Sequence, residues 1–243
     1  MRFLFLMCAM FFAGNTAQGA PDGFAPRHPT EKVSKELSSI ERSVRNAAVK
    51  VVTPRGGHGS GSLIRYKDLT MVFTARHVTD RALGTRYLIT KSNEQLTAVL
   101  IYGSTTADIA VLLLEGEFRD NNIKPMSWEV TKTYEIGKNI VYAGYPSHHQ
   151  LMSFNGRIVG YGKDSMDTHL IVNTYGWFGC SGSVMYDEKG KIIGILYGVD
   201  VEYYPGIQIN ENMIWVAPIK HINIEEAIKP FCRGTMKKYR ACQ

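Results

Sequence analysis

Apolar and β-branched residues in this chain come in short runs, each closed off by turn residues before it reaches the length of an ordinary helix. One set covers residues 47–52, 62–66, 70–74, 85–90, 96–102 and 109–114, and a second covers 139–142, 151–161, 169–173, 183–187, 192–199 and 213–218. Such runs read as strands. Long helical segments do not alternate with them, which argues against a doubly wound parallel sheet and for closed β architecture. The expected fold is all-β, with two six-stranded antiparallel barrels joined by the polar stretch 115–138, which contains Arg119-Asp120-Asn121-Asn122. Two short helices should flank them. From Thr30 onward Val33, Leu37, Ile40 and Val44 recur at helical spacing, and residues 223–229 carry a capping Asn223, early Glu225 and Glu226, and Pro230 just beyond.

Met1 and Arg2 lead into the apolar run Phe3 to Phe12, and small and polar residues follow. This reads as a secretory signal peptide, with Ala17 and Gly19 at the two selective positions for cleavage after residue 19 and a nearly equivalent site after Ala20. The apolar core is too short for a span that needs roughly 20 residues, so no stable membrane anchor is expected after removal. The chain then divides into a signal over 1–19, a leader with one amphipathic helix over 20–45, a double-barrel domain over 46–230 and a tail over 231–243. The expected destination is outside the cell or the periplasm. A formal charge of +6, reduced by one when Arg2 leaves, is spread along the chain apart from Lys237-Lys238-Tyr239-Arg240, so it lacks the concentrated footprint of a nucleic-acid binder. Cys8 departs with the signal. Cys232 and Cys242 could close a disulfide across residues 233–241 or remain free thiols. Neither they nor the adjacent His148 and His149 have metal-ligand spacing, and no metal or cofactor is expected. Oligomeric state leaves no mark in the sequence.

Three segments carry chemistry: Thr74-Ala75-Arg76-His77, Ala107-Asp108-Ile109-Ala110 and Gly179-Cys180-Ser181-Gly182-Ser183. A serine hydroxyl is a poor nucleophile at neutral pH and needs an imidazole to take its proton and an acid to fix the imidazole's tautomer. His77 follows a buried-looking run at a turn. Asp108 stands at the mouth of an apolar strand, where its carboxylate needs a hydrogen-bonding partner. Ser181 sits among small residues that let the backbone turn sharply, so that the N–H groups of Gly179 and Ser181 can form an oxyanion hole. The order histidine, aspartate, serine differs from the acid-first order of subtilisins and the serine-first order of α/β-hydrolases, and the hydrolase elbow would need glycine where Ser183 stands.

These segments resemble the trypsin-like, chymotrypsin-fold serine peptidases, and among them the HtrA/Deg branch, over about residues 47–224. Gly57-His58-Gly59-Ser60-Gly61-Ser62 resembles the branch's glycine-rich first hairpin, and Thr74-Ala75-Arg76-His77-Val78 and Ala107-Asp108-Ile109-Ala110-Val111 resemble its histidine and aspartate motifs. Gly144-Tyr145-Pro146, the segment Ser153 to Ile158 and Trp215-Val216-Ala217-Pro218-Ile219 are similar to its second-barrel landmarks. The resemblance implies His77 as general base, Asp108 as its orienter and Ser181 as nucleophile. Departures are also visible. Cys180 stands where digestive enzymes of the family carry an aspartate that pairs with a new N-terminus, Ser183-Val184 replaces Gly-Pro, and the chain has no room after the barrels for an ordinary peptide-binding domain.

By the same resemblance, Tyr175 and Leu196, Tyr197, Gly198 and Val199 would line the primary specificity pocket. None is acidic, so the buried counter-charge for Lys or Arg is missing. Leu196 occupies the place of a His with which some viral relatives read Gln or Glu, and Asp200 lies just beyond. The expected activity is a secreted serine endopeptidase acting on protein or peptide substrates after a small or apolar residue. Two alternatives stay open at this level: a catalytically silent binding module on the same fold, and a virus-encoded processing peptidase whose apolar start targets a membrane.

Overall fold

β-branched and aromatic residues favour a pleated, half-buried surface, and in the computed structural model the short runs pair as antiparallel strands. The structure describes residues 36–163, 168–203, 206–232 and 239–243. The first barrel is built from β1 (Ala48–Val52), β2 (His58–Tyr66), β3 (Leu69–Thr74), β4 (Arg86–Lys91), β5 (Glu94–Gly103) and β6 (Ala110–Glu115). Its strands run in the order β1-β4-β5-β6-β3-β2, and pairing of β2 with β1 closes the ring. A two-residue strand, β7 (Met126–Ser127), lies parallel to β2.

The second barrel comprises β8 (Asn139–Gly144), β9 (Met152–Lys163), β10 (Thr168–Asn173), β11 (Val184–Tyr186), β12 (Ile192–Glu202) and β13 (Gln208–Pro218). They close in the order β10-β13-β12-β11-β8-β9. Numbered from their own first strands, the two barrels follow one cyclic path. Closure satisfies the strand edges that an open sheet would leave unpaired.

Both barrels fall within one compact unit, Lys35–Gln243. The larger apolar cluster crosses from one barrel to the other, joining Val72, Phe73 and Leu112 to Val184, Tyr186 and Ile195. At this seam the Tyr186 hydroxyl hydrogen-bonds the buried Ser62 hydroxyl at 2.7 Å. Helix α1 (Ser39–Ala47) bridges the barrels from outside. Ser38 and Glu41 form a reciprocal capping box that fixes its start. Lys91 of the first barrel donates from Nζ to the carbonyls of Arg45 and Ala48, each at 2.6 Å, satisfying orphan groups at the helix C-terminus. Arg45 in turn donates to the Leu151 carbonyl at the entrance to β9.

Helix α2 (Ile224–Ile228) is capped by Asn223, whose side chain accepts from the N–H groups of Glu225 and Glu226. Cys232 and Cys242 form a disulfide. The Asp68 carboxylate accepts the N–H groups of Arg240 and Ala241, fastening the tail segment to the β2–β3 turn.

Strand limits follow the apolar runs within a few residues, with three differences. The glycine-rich stretch lies in the β1–β2 hairpin, whose turn is made by residues 53–57, so β2 starts at His58, four residues before the run expected to begin at Ser62. Strand β7 lies within the stretch read only as a polar crossover. Helix α1 begins at Ser39, where the capping box sits, while residues 30–35 of the expected helix, the signal segment 1–19 and the leader residues 20–35 lie outside the described residues. Among the described residues no helix is long and apolar enough to cross a membrane.

Candidate active site

His77 lies on a single 3-10 turn, Arg76–Thr79, that continues β3. Asp108 stands two residues before β6, the neighbour of β3 in the sheet, so strand pairing delivers both side chains to one rim of the first barrel. The Asp108 carboxylate accepts two hydrogen bonds from His77, one from its backbone N–H at 2.8 Å and one from Nδ1–H at 2.5 Å. The second bond fixes the tautomer: Nε2 keeps its lone pair and faces the task of a base. Asp108 is largely enclosed, with 12% of its side chain exposed, whereas His77 keeps 45% exposed and is reachable by a substrate.

Ser181 arrives from the other barrel, on the loop before β11. Two consecutive turns shape that loop. Cys180 N–H bonds the Trp177 carbonyl and Ser183 N–H bonds the Cys180 carbonyl, each at 2.9 Å, and the third residue of each turn is a glycine with positive φ, Gly179 at +92° and Gly182 at +94°. Type II turns require that conformation at their third position, which accounts for the three-residue spacing of the two glycines. Sterics demand glycine as well. A Cβ on Gly179 would stand 2.4 Å from the Tyr145 carbonyl oxygen, and one on Gly182 would stand 2.1 Å from both the Ser60 carbonyl oxygen and Thr74 Oγ1.

These contacts dock the serine loop on the segment that leads into His77. The Ser60 N–H donates to the Ser181 carbonyl at 2.8 Å, and Gly59 is wedged between Val78 and that same carbonyl. The N–H groups of Gly179 and Ser181 donate to no acceptor among the described residues. No hydrogen bond joins Ser181 Oγ to His77 Nε2 among the described residues. Such bonds often tighten only when a substrate is in place.

A histidine oriented by an enclosed carboxylate, a serine on a tight glycine-bounded loop and two amide donors without an acceptor among the described residues are groups of the kind that acyl transfer uses. Residues 59–195, more than half of the 243-residue chain, match the trypsin-like peptidase domain family. The chain belongs to that family. No curated protein sequence matches it. Among solved structures, the peptidase is similar to the active form of the Rv3671c protease from M. tuberculosis, at 17% identity over 87% of this chain and 93% of that one, with a TM-score of 0.59. It is also similar to the HtrA-type protease AlgW with tripeptide, at 20% identity over 75% of this chain and 60% of that one, with a TM-score of 0.59. At these identities the likeness is one of fold.

Of the residues expected around the specificity pocket of the peptidase, Leu196 is the one hydrogen-bonded to the serine loop among the described residues, and the others lie along β12 or before the loop. The Tyr175 ring stacks on Phe154, which stacks on Tyr142, and the Tyr142 hydroxyl donates to the Tyr175 carbonyl. Leu196 is buried and pairs with the loop through both backbone groups, donating to the Ser183 carbonyl and accepting from Gly182 N–H. Gly198 lies against Trp215, and Gly176 is backed by Ile214 and Leu196. Tyr197 and Val199 continue along β12, with Asp200 paired to Asn210 across the β12–β13 ladder. Glu211 is an acidic neighbour that the sequence reading passed over. Burial chiefly, and then the Glu211 charge, raises the Tyr175 hydroxyl above its ordinary range.

Cys180 is fully buried in the apolar cluster of the second barrel, and burial pushes its thiol up. Other site residues escaped the sequence reading. Ser60 is buried, donates from Oγ to the Gly179 carbonyl at 2.7 Å and accepts from Tyr145 N–H at 2.9 Å. His58 donates from Nε2 to the Tyr145 carbonyl at 3.0 Å, and burial pushes its imidazole below the usual range against the opposing pull of that bond. The only signal available for either was membership of a glycine-rich run. Among the described residues no cluster of His, Cys, Asp and Glu is arranged to hold a metal ion.

Proposed function

We propose that the chain is an exported serine endopeptidase in which His77, Asp108 and Ser181 act as base, orienter and nucleophile. What supports the reading above all is the Asp108 carboxylate taking both His77 N–H groups, which presents a neutral Nε2 on the rim where the serine loop docks. Ser181 Oγ attacks the peptide carbonyl and passes its proton to His77 Nε2. The carbonyl oxygen, now bearing the charge, is met by the N–H groups of Gly179 and Ser181. Collapse of the tetrahedral species sends the His77 proton to the leaving amine and leaves an acyl ester on Ser181, and a water activated by the same imidazole then releases the acid. Asp108 stays ionised throughout and steadies the imidazolium.

Substrates carry a small or apolar side chain before the scissile bond, since Ile214, Leu196 and the Tyr175 ring offer apolar walls. Export rests on the basic start, apolar core and small-residue boundary of the first twenty residues. Ser181→Ala should abolish labelling by a fluorophosphonate while the thermal midpoint stays near that of the parent. Equal labelling of the variant would reject the assignment of the nucleophile. A peptide-library cleavage profile checks the side-chain preference, and strong cleavage after Lys or Arg would point to Glu211 or Asp200 as a counter-charge.

A further inference from the structure

We propose that Ser60 is the positioning residue that locks the oxyanion-hole loop, an inference that rests on the serine peptidase reading. An amide donor is useful only if its peptide plane is held. Gly179 N–H shares a rigid plane with the Phe178 carbonyl, and glycine imposes little barrier to rotation about its neighbouring bonds. A flip of that one plane would carry the N–H out of the site and cost few contacts unless the carbonyl is tied. It is tied by Ser147 N–H at 2.6 Å, from the loop that follows β8.

That loop is held in turn by Ser60, whose hydroxyl accepts from Tyr145 N–H and donates to the Gly179 carbonyl. The Ser60 backbone completes the grip. Its N–H donates to the Ser181 carbonyl, and its own carbonyl accepts from the Thr74 hydroxyl at 2.7 Å, two residues before the His77 turn begins. One residue of the first barrel therefore fixes the carbonyls of both oxyanion donors and secures the segment that fixes the plane before the first.

The need for such a clamp follows from Cys180. A charged side chain at that position could anchor the loop by an ion pair, but the thiol is buried among apolar neighbours and, apart from its contact with the Tyr142 hydroxyl of the same barrel, anchors it by packing. The hydroxyl at position 60 supplies directional bonds instead, from the opposite barrel. Nearby Ser62 provides an internal comparison. It is also buried and hydrogen-bonded across the seam, to Tyr186, yet among the described residues its hydroxyl makes no hydrogen bond to the serine loop.

The test measures fluorophosphonate labelling of the full chain under saturating conditions, separating the maximal rate from the half-saturating concentration, for wild type, Ser60→Ala, Ser62→Ala and Ser181→Ala. The label's phosphoryl oxygen occupies the oxyanion hole, so Ser60→Ala should lower the maximal rate at least tenfold, approaching the roughly hundredfold loss seen when an oxyanion donor is removed, with the half-saturating concentration little changed. Ser62→Ala should label at nearly the wild-type rate despite losing a buried hydrogen bond of its own. Where Ser60→Ala does not fold, Ser60→Cys keeps the volume with a weaker donor and should label more slowly than wild type. A wild-type chain that resists labelling overturns the peptidase reading itself. A wild-type chain that labels, with the Ser60 variant just as fast or with Ser62→Ala slowed equally, overturns the clamp alone.

Discussion

At Ser183 a hydroxyl is enclosed with no hydrogen-bond partner among the described residues, its oxygen pressed toward Gly144, where an added Cβ would come within 2.3 Å. A buried polar group left unpaired costs about 1–3 kcal/mol. Ser183→Ala should therefore raise the free energy of unfolding by about 1 kcal/mol, read as a higher urea midpoint at unchanged slope, and a lower midpoint would show that the hydroxyl is satisfied in solution. Single residues also mark how far the sequence could be read. The His77–Asp108 contact and the tight turn at Ser181 were legible because the residue types that acyl transfer could use are few and the flanking small residues suited a tight turn. Ser60 was not. A serine between glycines looks like part of a turn, and its importance comes from bonds to Tyr145 and Gly179, residues 85 and 119 positions away, which no local pattern encodes.

At the scale of elements, the double turn before β11 depends on two glycines in the left-handed region, while a glycine in the middle of β9 meets open space. Gly182→Ala would place a Cβ against backbone and a buried hydroxyl at a φ of +94°, so it should abolish fluorophosphonate labelling and lower the thermal midpoint. Gly160→Ala has nothing within 4 Å of the new carbon and should leave labelling intact with a slightly raised midpoint, since glycine weakens a strand relative to alanine. The reverse ranking would refute the steric account. Element positions were legible where apolar runs ended at turn residues. They were less so at β2, where glycines and serines alternate directly after His58. Gly61 lies under Val72 and the Phe73 carbonyl, so close strand packing, not turn formation, selects the glycine there. Strand β7 is two residues long and exists only because β2 offers it an edge.

At the scale of the molecule, the cluster that spans both barrels, the Ser62–Tyr186 bond and the α1 bridge make separate melting of the halves unfavourable. Trp128 packs against Phe73 and the Trp215 ring stacks on His169, so each reports on a different barrel. In chains keeping one or the other as the sole tryptophan, both signals should change at the same denaturant concentration, as a two-state transition demands. Tyr186→Ala should lower both midpoints together, with a loss of about 3–5 kcal/mol of unfolding free energy, and two separated transitions in the unsubstituted seam would refute the shared core. Two barrels could be counted from the strand runs, but not the seam, because residues that face a partner barrel alternate along a strand just as those that face their own interior do. The seam matters most where the proposed chemistry is divided: His77, the proposed proton acceptor, stands on one barrel and Ser181, the proposed nucleophile, on the other. A slip of a fraction of an ångström between the halves disturbs bond-making distance before it opens either interior, so under gentle warming or a cosolvent, fading turnover is the early alarm and loss of structure the late one.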